Sequence, residues 1–255
     1  MRNPLILAYH RVLPASLARA RGVLAVTVEQ FERQIAFFAG RGWRCTTLRQ
    51  LHEEYLVRGT STRKVFVVTF DDGYRDNYDY AFPILQKFRI PATIFVVTGR
   101  LNSSQDLYFT DVQRPYSVID ADRALTKEQI MEMKAAGVEF GSHTVTHPRL
   151  TRLDLSNLED EVSASRRHLE NIVGENVASF CYPYGDVNRQ VIDAVRKEGY
   201  TVGVVTPHGP GVPKGPYTLR RTGVYGSDSP LSFRIKCSSF FYAARESPFW
   251  RLVRS

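Results

Sequence analysis

The chain has 255 residues, 43% of them hydrophobic, enough for one large domain or two small ones and for a sizeable buried core. Its three cysteines, Cys45, Cys181 and Cys237, are widely spaced and odd in number, which excludes a disulfide framework and a four-cysteine zinc module and suits a reducing compartment. A net charge of +8 favours an acidic partner, but the basic residues are scattered without an aromatic stripe, so no nucleic acid is expected.

Leu5 to Tyr9 reads as a short strand that His10 and Arg11 interrupt at once. The N-terminus therefore lacks a signal-peptide core, and no stretch approaches the roughly 20 apolar residues of a membrane span, so a cytoplasmic location is expected. Thr27 opens a helix over Val28–Arg41, followed by a strand over Trp43–Thr46 and a helix over Leu48–Leu56. Val65–Phe70 reads as a buried strand, Asp79–Phe88 as a helix and Ala92–Val97 as another strand. An irregular segment, Asn102 to Arg123, carries Tyr108, Phe109 and Tyr116, aromatics suited either to stacking on a sugar or to capping a core. Thr126 then introduces a helix through Ala136, and Val138–Gly141 is a strand. Leu155–Val173, Ser179–Tyr182, Val187–Glu198 and Thr201–Val205 continue as helix, strand, helix, strand, and Tyr217–Val224 supplies a last strand. Residues 1–228 make one domain. In the extension 229–255, aromatics such as Phe233, Phe241 and Trp250 interleave with Arg234, Lys236 and Arg251, as in a helix packed on that domain or one in peripheral contact with a membrane.

Repeated alternation of strand and helix implies a parallel sheet with right-handed crossovers, and this many units implies a closed or nearly closed β/α barrel. Barrel active sites gather where the strands end, and the ionisable signals do the same. His10 follows the first strand, Asp71 and Asp72 follow Val65–Phe70, and His143 and His147 follow Val138–Gly141. Tyr184, Gly185 and Asp186 follow Ser179–Tyr182, and His208 follows Thr201–Val205.

Adjacent carboxylates after a buried strand need a cation, a shared proton or water, because burying either alone is costly. In G-S-H-T-V-T-H-P, two imidazoles four residues apart can face one divalent ion if the segment makes a single helical turn ended by Pro148. One aspartate would complete a set that leaves coordination positions open, which is a catalytic arrangement. The other aspartate could then take a proton from an attacking water.

T-F-D-D-G-Y at Thr69 to Tyr74, S-H-T-V-T-H at Ser142 to His147 and F-C-Y-P-Y-G at Phe180 to Gly185 resemble the first three motifs, in order, of the polysaccharide deacetylase family, also called the NodB homology domain or carbohydrate esterase family 4. L-A-Y-H-R-V near the N-terminus is similar to the leader of one bacterial branch. The resemblance spans about Pro4 to Val224. It implies a deformed (β/α)7 barrel, TIM-barrel-like and single-domain, that removes an N-acyl group, usually acetyl, from a hexosamine. It further implies one divalent metal ion, zinc first, with cobalt, nickel, iron or manganese as substitutes. Position by position, it makes Asp71 the general base, Asp72, His143 and His147 the metal ligands, and the backbone N–H of Tyr184 a donor to the oxyanion.

The chain also departs from the family pattern. Cys181 stands where many members have an arginine that orients the base, and Arg221 is the candidate replacement, or else a surface arginine on an edge strand. The fourth motif and the histidine of the fifth are missing, so the general acid is unassigned; His10 and His208 are its candidates, His10 ahead. The expected substrate is an amino sugar or glycan, phosphate-bearing or lipid-linked, to which the basic balance would be suited. Hydrolysis of another small amide, a silent carbohydrate-binding barrel and a membrane-bound scaffold are the alternatives.

Overall fold

The computed structural model describes residues 4–59, 64–103, 106–107, 117–205, 212–238 and 241. In chain order these form β1 (Leu5–Tyr9), β2 (Arg11–Leu13), α1 (Ala15–Ala20), β3 (Ala25–Thr27), α2 (Val28–Ala39), β4 (Arg44–Cys45), α3 (Leu48–Leu51), β5 (Val65–Phe70), α4 (Phe82–Phe88) and β6 (Thr93–Val96). After them come α5 (Lys127–Ala135), β7 (Glu139–Ser142), α6 (Leu155–Val173), β8 (Ser179–Cys181), α7 (Arg189–Lys197), β9 (Val202–Val205), β10 (Leu219–Arg220), β11 (Thr222–Gly223) and α8 (Pro230–Lys236).

Local sequence sets the helix ends. Thr27, Thr47 and Thr126 each accept a hydrogen bond from the backbone N–H three residues on, while Gln30, Gln50 and Gln129 accept one in turn from the cap backbone N–H. Gly174, at φ 70°, ends α6 in the left-handed conformation that a glycine adopts without strain.

All neighbouring strands of the main sheet run parallel, in the order β10-β9-β8-β7-β6-β5-β1-β11, with β4 paired beside the start of β5. β10 pairs with β9 and β11 with β1, and only Arg221 separates the two. The sheet thus closes through one interrupted strand, giving the expected deformed (β/α)7 barrel. The predicted strand Tyr217–Val224 is split here because the chain must leave one neighbour to reach the other.

Alternation along the strands sorts side chains into two cores. Ile6, Val65, Val67, Phe95, Cys181, Val202 and Val204 fill the barrel, together with Leu48, Leu51 and Tyr55. The latter three plug its lower end, where Leu48 N–H donates to Thr93 Oγ1 and Arg49 N–H to Glu139 Oε2 at the starts of β6 and β7. Outward residues such as Leu7, Phe66, Val68 and Phe70 pack against Phe31, Ile35 and Phe38 of α2. Along β5 the inward series Val65, Val67, Thr69 arrives at Asp71 with the same period of two. One carboxylate is therefore placed at the barrel's upper mouth by the pleat alone.

Sequence reading missed β2, α1 and β3, which form an excursion between His10 and α2 held by a two-stranded parallel pair. Strands of three residues carry too little periodicity to be seen. Of the extension, α8 packs through buried Phe233 against Phe37 and Phe38. Tyr108, Phe109, Tyr116, His208 and most of 239–255 lie outside the described residues. Among the described residues no helix is long and apolar enough to cross a membrane.

Gly73 makes the turn off β5 at φ 73°, and a Cβ there would stand 2.7 Å from Val96 Cγ1 and 3.2 Å from Val96 Cα. Gly73→Ala combines left-handed strain with a clash against backbone, so it should cost about 1–3 kcal/mol. The check is the urea midpoint, which should fall; an unchanged midpoint would show that the turn is not held this tightly.

Candidate metal and acid-base site

Five chain segments meet at the barrel mouth. Asp71 extends the β1–β5 ladder by one step, its N–H donating to Tyr9 O at 2.9 Å. Asp72 follows at φ 70°, a left-handed conformation uncommon outside glycine, and Gly73 repeats it. That reversal turns Asp72 away from Asp71 and toward the loop after β7. Both aspartates are buried.

That loop holds the two histidines, although not as the helical turn the spacing suggested. Residues 143–147 form an irregular bend with Thr144 at φ 68° and His147 at φ 64°. Glu161 of α6 fixes the bend, accepting from Val145 N–H at 2.8 Å, Thr146 N–H at 3.0 Å and Thr146 Oγ1 at 2.6 Å. His147 N–H donates to Thr144 Oγ1 at 3.0 Å. The outcome matches what a helical turn would have achieved, since the ring centroids are 4.7 Å apart.

Asp72 Oδ1 stands 3.5 Å from both His143 Nε2 and His147 Nε2. His143 Nδ1 lies 2.7 Å from the carbonyl oxygen of Cys181, to which it can only donate. Its unprotonated Nε2 consequently faces Asp72. Burial pushes His143 down to about 4, and burial followed by the nearby His143 pushes His147 down to about 2, so both rings are neutral at pH 7. Burial, and after it the charge of Asp71, pushes Asp72 up to about 8. Two neutral imidazoles and a carboxylate that forms no ion pair with a lysine or arginine among the described residues, with ligand atoms all within 4.8 Å of one another, suit a divalent cation with open positions.

Asp71 is treated differently by its surroundings. Arg221, buried in the barrel, grips it with Nη1–Oδ1 at 2.6 Å and Nη2–Oδ2 at 2.7 Å and also donates to Thr69 Oγ1 at 3.1 Å. Burial alone would raise this carboxyl, yet the guanidinium overrides it and holds Asp71 well below the usual carboxylate range. Cys181 Sγ sits between them, 3.6 Å from Asp71 Oδ1 and 3.2 Å from Arg221 Nη2. Asp71, His143 and Cys181 form a second possible ligand trio. It suits a cation less well, because Arg221 already neutralises Asp71 and burial keeps the thiol protonated.

His10 Nε2 lies 3.8 Å from Asp71 Oδ2. Burial lowers its pKa against the pull of Asp71, and its Nδ1 has no hydrogen-bond partner among the described residues. Tyr184 takes φ 60° at the exit of β8, with its ring centroid 4.6 Å from that of His147. Each predicted site residue within the described chain thus reaches one mouth.

Sequence reasoning missed the cluster that holds His10 in place. Arg11 pairs with Asp76 at 2.8 Å and Asp122 at 2.7 Å, Val12 N–H donates to Asp76 Oδ1 at 3.0 Å, and Asn77 Nδ2 donates to His10 O at 2.9 Å. Asp76 and Asn77 follow D-D-G closely enough to have been suspected; Asp122, far away in an irregular segment, gave no signal.

A family model described as polysaccharide deacetylase matches residues 58–203. YxkH of Bacillus subtilis, a protein whose name places it in that family, is 28% identical over 229 residues, covering 89% of this chain and 74% of its own length. The poly-beta-1,6-N-acetyl-D-glucosamine N-deacetylase of Staphylococcus epidermidis is 28% identical over 188 residues, 70% of this chain and 60% of that protein. Among solved structures, the deacetylase PplD of Streptococcus pyogenes in complex with acetate superposes with a TM-score of 0.76 at 25% identity, covering 92% of this chain and 98% of that one.

Removing one partner of a buried ion pair strands the other, at a cost of about 3–5 kcal/mol. Arg221→Met should lose that much at neutral pH. The folded pKa of Asp71 lies below its unfolded value of about 3.9, so the pair's stabilisation is complete above that value and fades as pH falls through the folded one. In the variant, burial instead raises Asp71, and acid relieves it. Denaturation midpoints of the two proteins should therefore converge as pH is lowered from 7 to 3; a gap that is small or independent of pH would contradict the pairing.

Proposed function

The chain belongs to the polysaccharide deacetylase family, and on that premise we propose that it hydrolyses the N-acetyl amide of an amino sugar within a glycan. The named staphylococcal relative points to a polymer of N-acetylglucosamine as the first substrate to try. A phosphate-bearing or lipid-linked amino sugar is the finer alternative suggested by the basic charge. The observation that carries the reading is the division of labour within D-D-G: Asp72 faces two neutral imidazoles at 3.5 Å each, while Asp71 is neutralised separately by Arg221.

In this reading Asp72, His143 and His147 hold the divalent ion, zinc first among the candidates. When bound, such an ion would supply Lewis-acid chemistry, polarising the amide oxygen and lowering the pKa of a water toward neutrality. Asp71, kept ionised and oriented by Arg221, accepts the proton of the attacking water. Both its oxygens are engaged, so it is a weak base held in a fixed position, and its contribution is geometric more than basic. The backbone N–H of Tyr184 donates to the oxyanion as the carbonyl carbon becomes tetrahedral. His10, 3.8 Å from Asp71, is close enough to receive that proton and deliver it to the leaving nitrogen. The carbon–nitrogen bond then breaks to give acetate and a free amine.

The test is acetate release from N-acetylglucosamine oligomers alongside metal analysis of each variant. Asp72→Ala should lose both bound metal and activity. Asp71→Asn should keep the metal and lose on the order of a hundred- to ten-thousandfold in turnover. No bound metal and no metal-dependent acetate release in the unaltered protein would sink the proposal.

His10→Ala should likewise retain metal, with turnover reduced on the order of a hundredfold or more. Unchanged turnover would remove His10 from the mechanism and leave the protonation of the amine to another group.

A further inference from the structure

The loop after β7 and the exit of β8 meet again just outside the candidate metal centre. Thr151 donates to Asp186 Oδ2 through N–H at 3.1 Å and Oγ1 at 2.6 Å, latching the two segments together. Leu150 is fully buried and anchors the same turn. Immediately before these fixed points Arg149 is exposed, and its guanidinium carbon lies 4.4 Å from the centroid of the Tyr184 ring. Tyr184 is 39% exposed, and its ring contacts that of His147 with centroids 4.6 Å apart. A chain of contacts therefore runs from Asp72 through His147 and Tyr184 to Arg149.

A guanidinium that rests its face on an aromatic ring keeps its N–H edge free for in-plane hydrogen bonds, the geometry that matches a carboxylate or phosphate. No carboxylate among the described residues pairs with Arg149, and the nearby Asp186 has its Oδ2 occupied by Thr151. The latch holds the stack in place before any ligand arrives, which lowers the entropy lost on binding.

Resting on the N-deacetylase reading, we propose that Arg149 and Tyr184 form a subsite for an oxyanion substituent, phosphate or carboxylate, carried on the reacting amino sugar or on its neighbour. Tyr184 supplies an apolar face for the sugar ring, and Arg149 recognises the anion at its edge. The subsite sets substrate preference and takes no part in bond breaking.

The test compares the metal-loaded protein and its Arg149→Gln and Arg149→Lys variants on three oligomers of N-acetylglucosamine: neutral, phosphorylated, and carrying a uronic acid neighbour. A charge-assisted hydrogen bond at an exposed site predicts a KM about tenfold lower for an anionic oligomer than for the neutral one. Arg149→Gln should abolish that preference with kcat unchanged, and Arg149→Lys should restore part of it. The preference should also shrink as ionic strength rises through 0.5 M, an effect of screening that a purely structural arginine would not show. Whichever anionic oligomer is preferred identifies the substituent. Equal KM values for all three oligomers in the unaltered protein would overturn the proposal, as would an equal rise in KM on all three in Arg149→Gln. Hydrolysis of none of the oligomers would instead overturn the deacetylase reading. The anion subsite would then be judged by calorimetric titration with the phosphorylated oligomer, where equal affinity in the unaltered protein and Arg149→Gln would overturn it.

Discussion

Two carboxylates on adjacent residues at the mouth of an apolar barrel cannot both be left without a counter-charge. The arrangement of the site follows from that constraint. Period-two alternation along β5 points Asp71 into the barrel, and the last strand breaks at the one residue, Arg221, whose side chain reaches it there. The left-handed turn at Asp72 and Gly73 then sends the second carboxylate the other way, toward His143 and His147. Bidentate pairing satisfies one charge inside the protein; the other faces only neutral rings. A single closed barrel thus builds two electrostatically opposite positions on neighbouring residues.

The closing strand has a second consequence. In many family members an arginine lies two residues before the third-motif proline, and this chain has Cys181 in its place. Arg221 comes from a different strand but occupies the space beside Cys181, with Nη2 3.2 Å from its sulfur. A small uncharged side chain at position 181 leaves room for a long cation from across the barrel. In this chain the charge opposite Asp71 comes from the closing strand.

Much of this was legible in the residues because the signals were long or chemically unusual. Strongly apolar strands such as Val65–Phe70, capped helices such as Leu155–Val173 and the order of strands and helices determine the barrel with little ambiguity. D-D-G and H-x-x-x-H stood out because like charges and paired imidazoles are costly to bury without a purpose. His143 and His147 meet without the helical turn that their spacing allows, for a physical reason: spacing constrains where two side chains can meet, but here left-handed residues and Glu161, both invisible to spacing, do the folding. Short elements such as β2 and β3 fall below what periodicity can resolve. The Arg11–Asp76–Asp122 cluster was hidden because its members are far apart in sequence and become one buried network only after the chain folds.

The central claim is that Asp72 and Asp71 differ in kind, the first a ligand and the second an ion-paired base. Anomalous diffraction from crystals of the zinc-loaded protein, collected at the zinc edge, tests this most directly. The account predicts one ion within about 2.0–2.2 Å of Asp72, His143 Nε2 and His147 Nε2, with Asp71 still gripped by Arg221. An ion bound instead by Asp71 and Cys181, with Arg221 displaced, would contradict it.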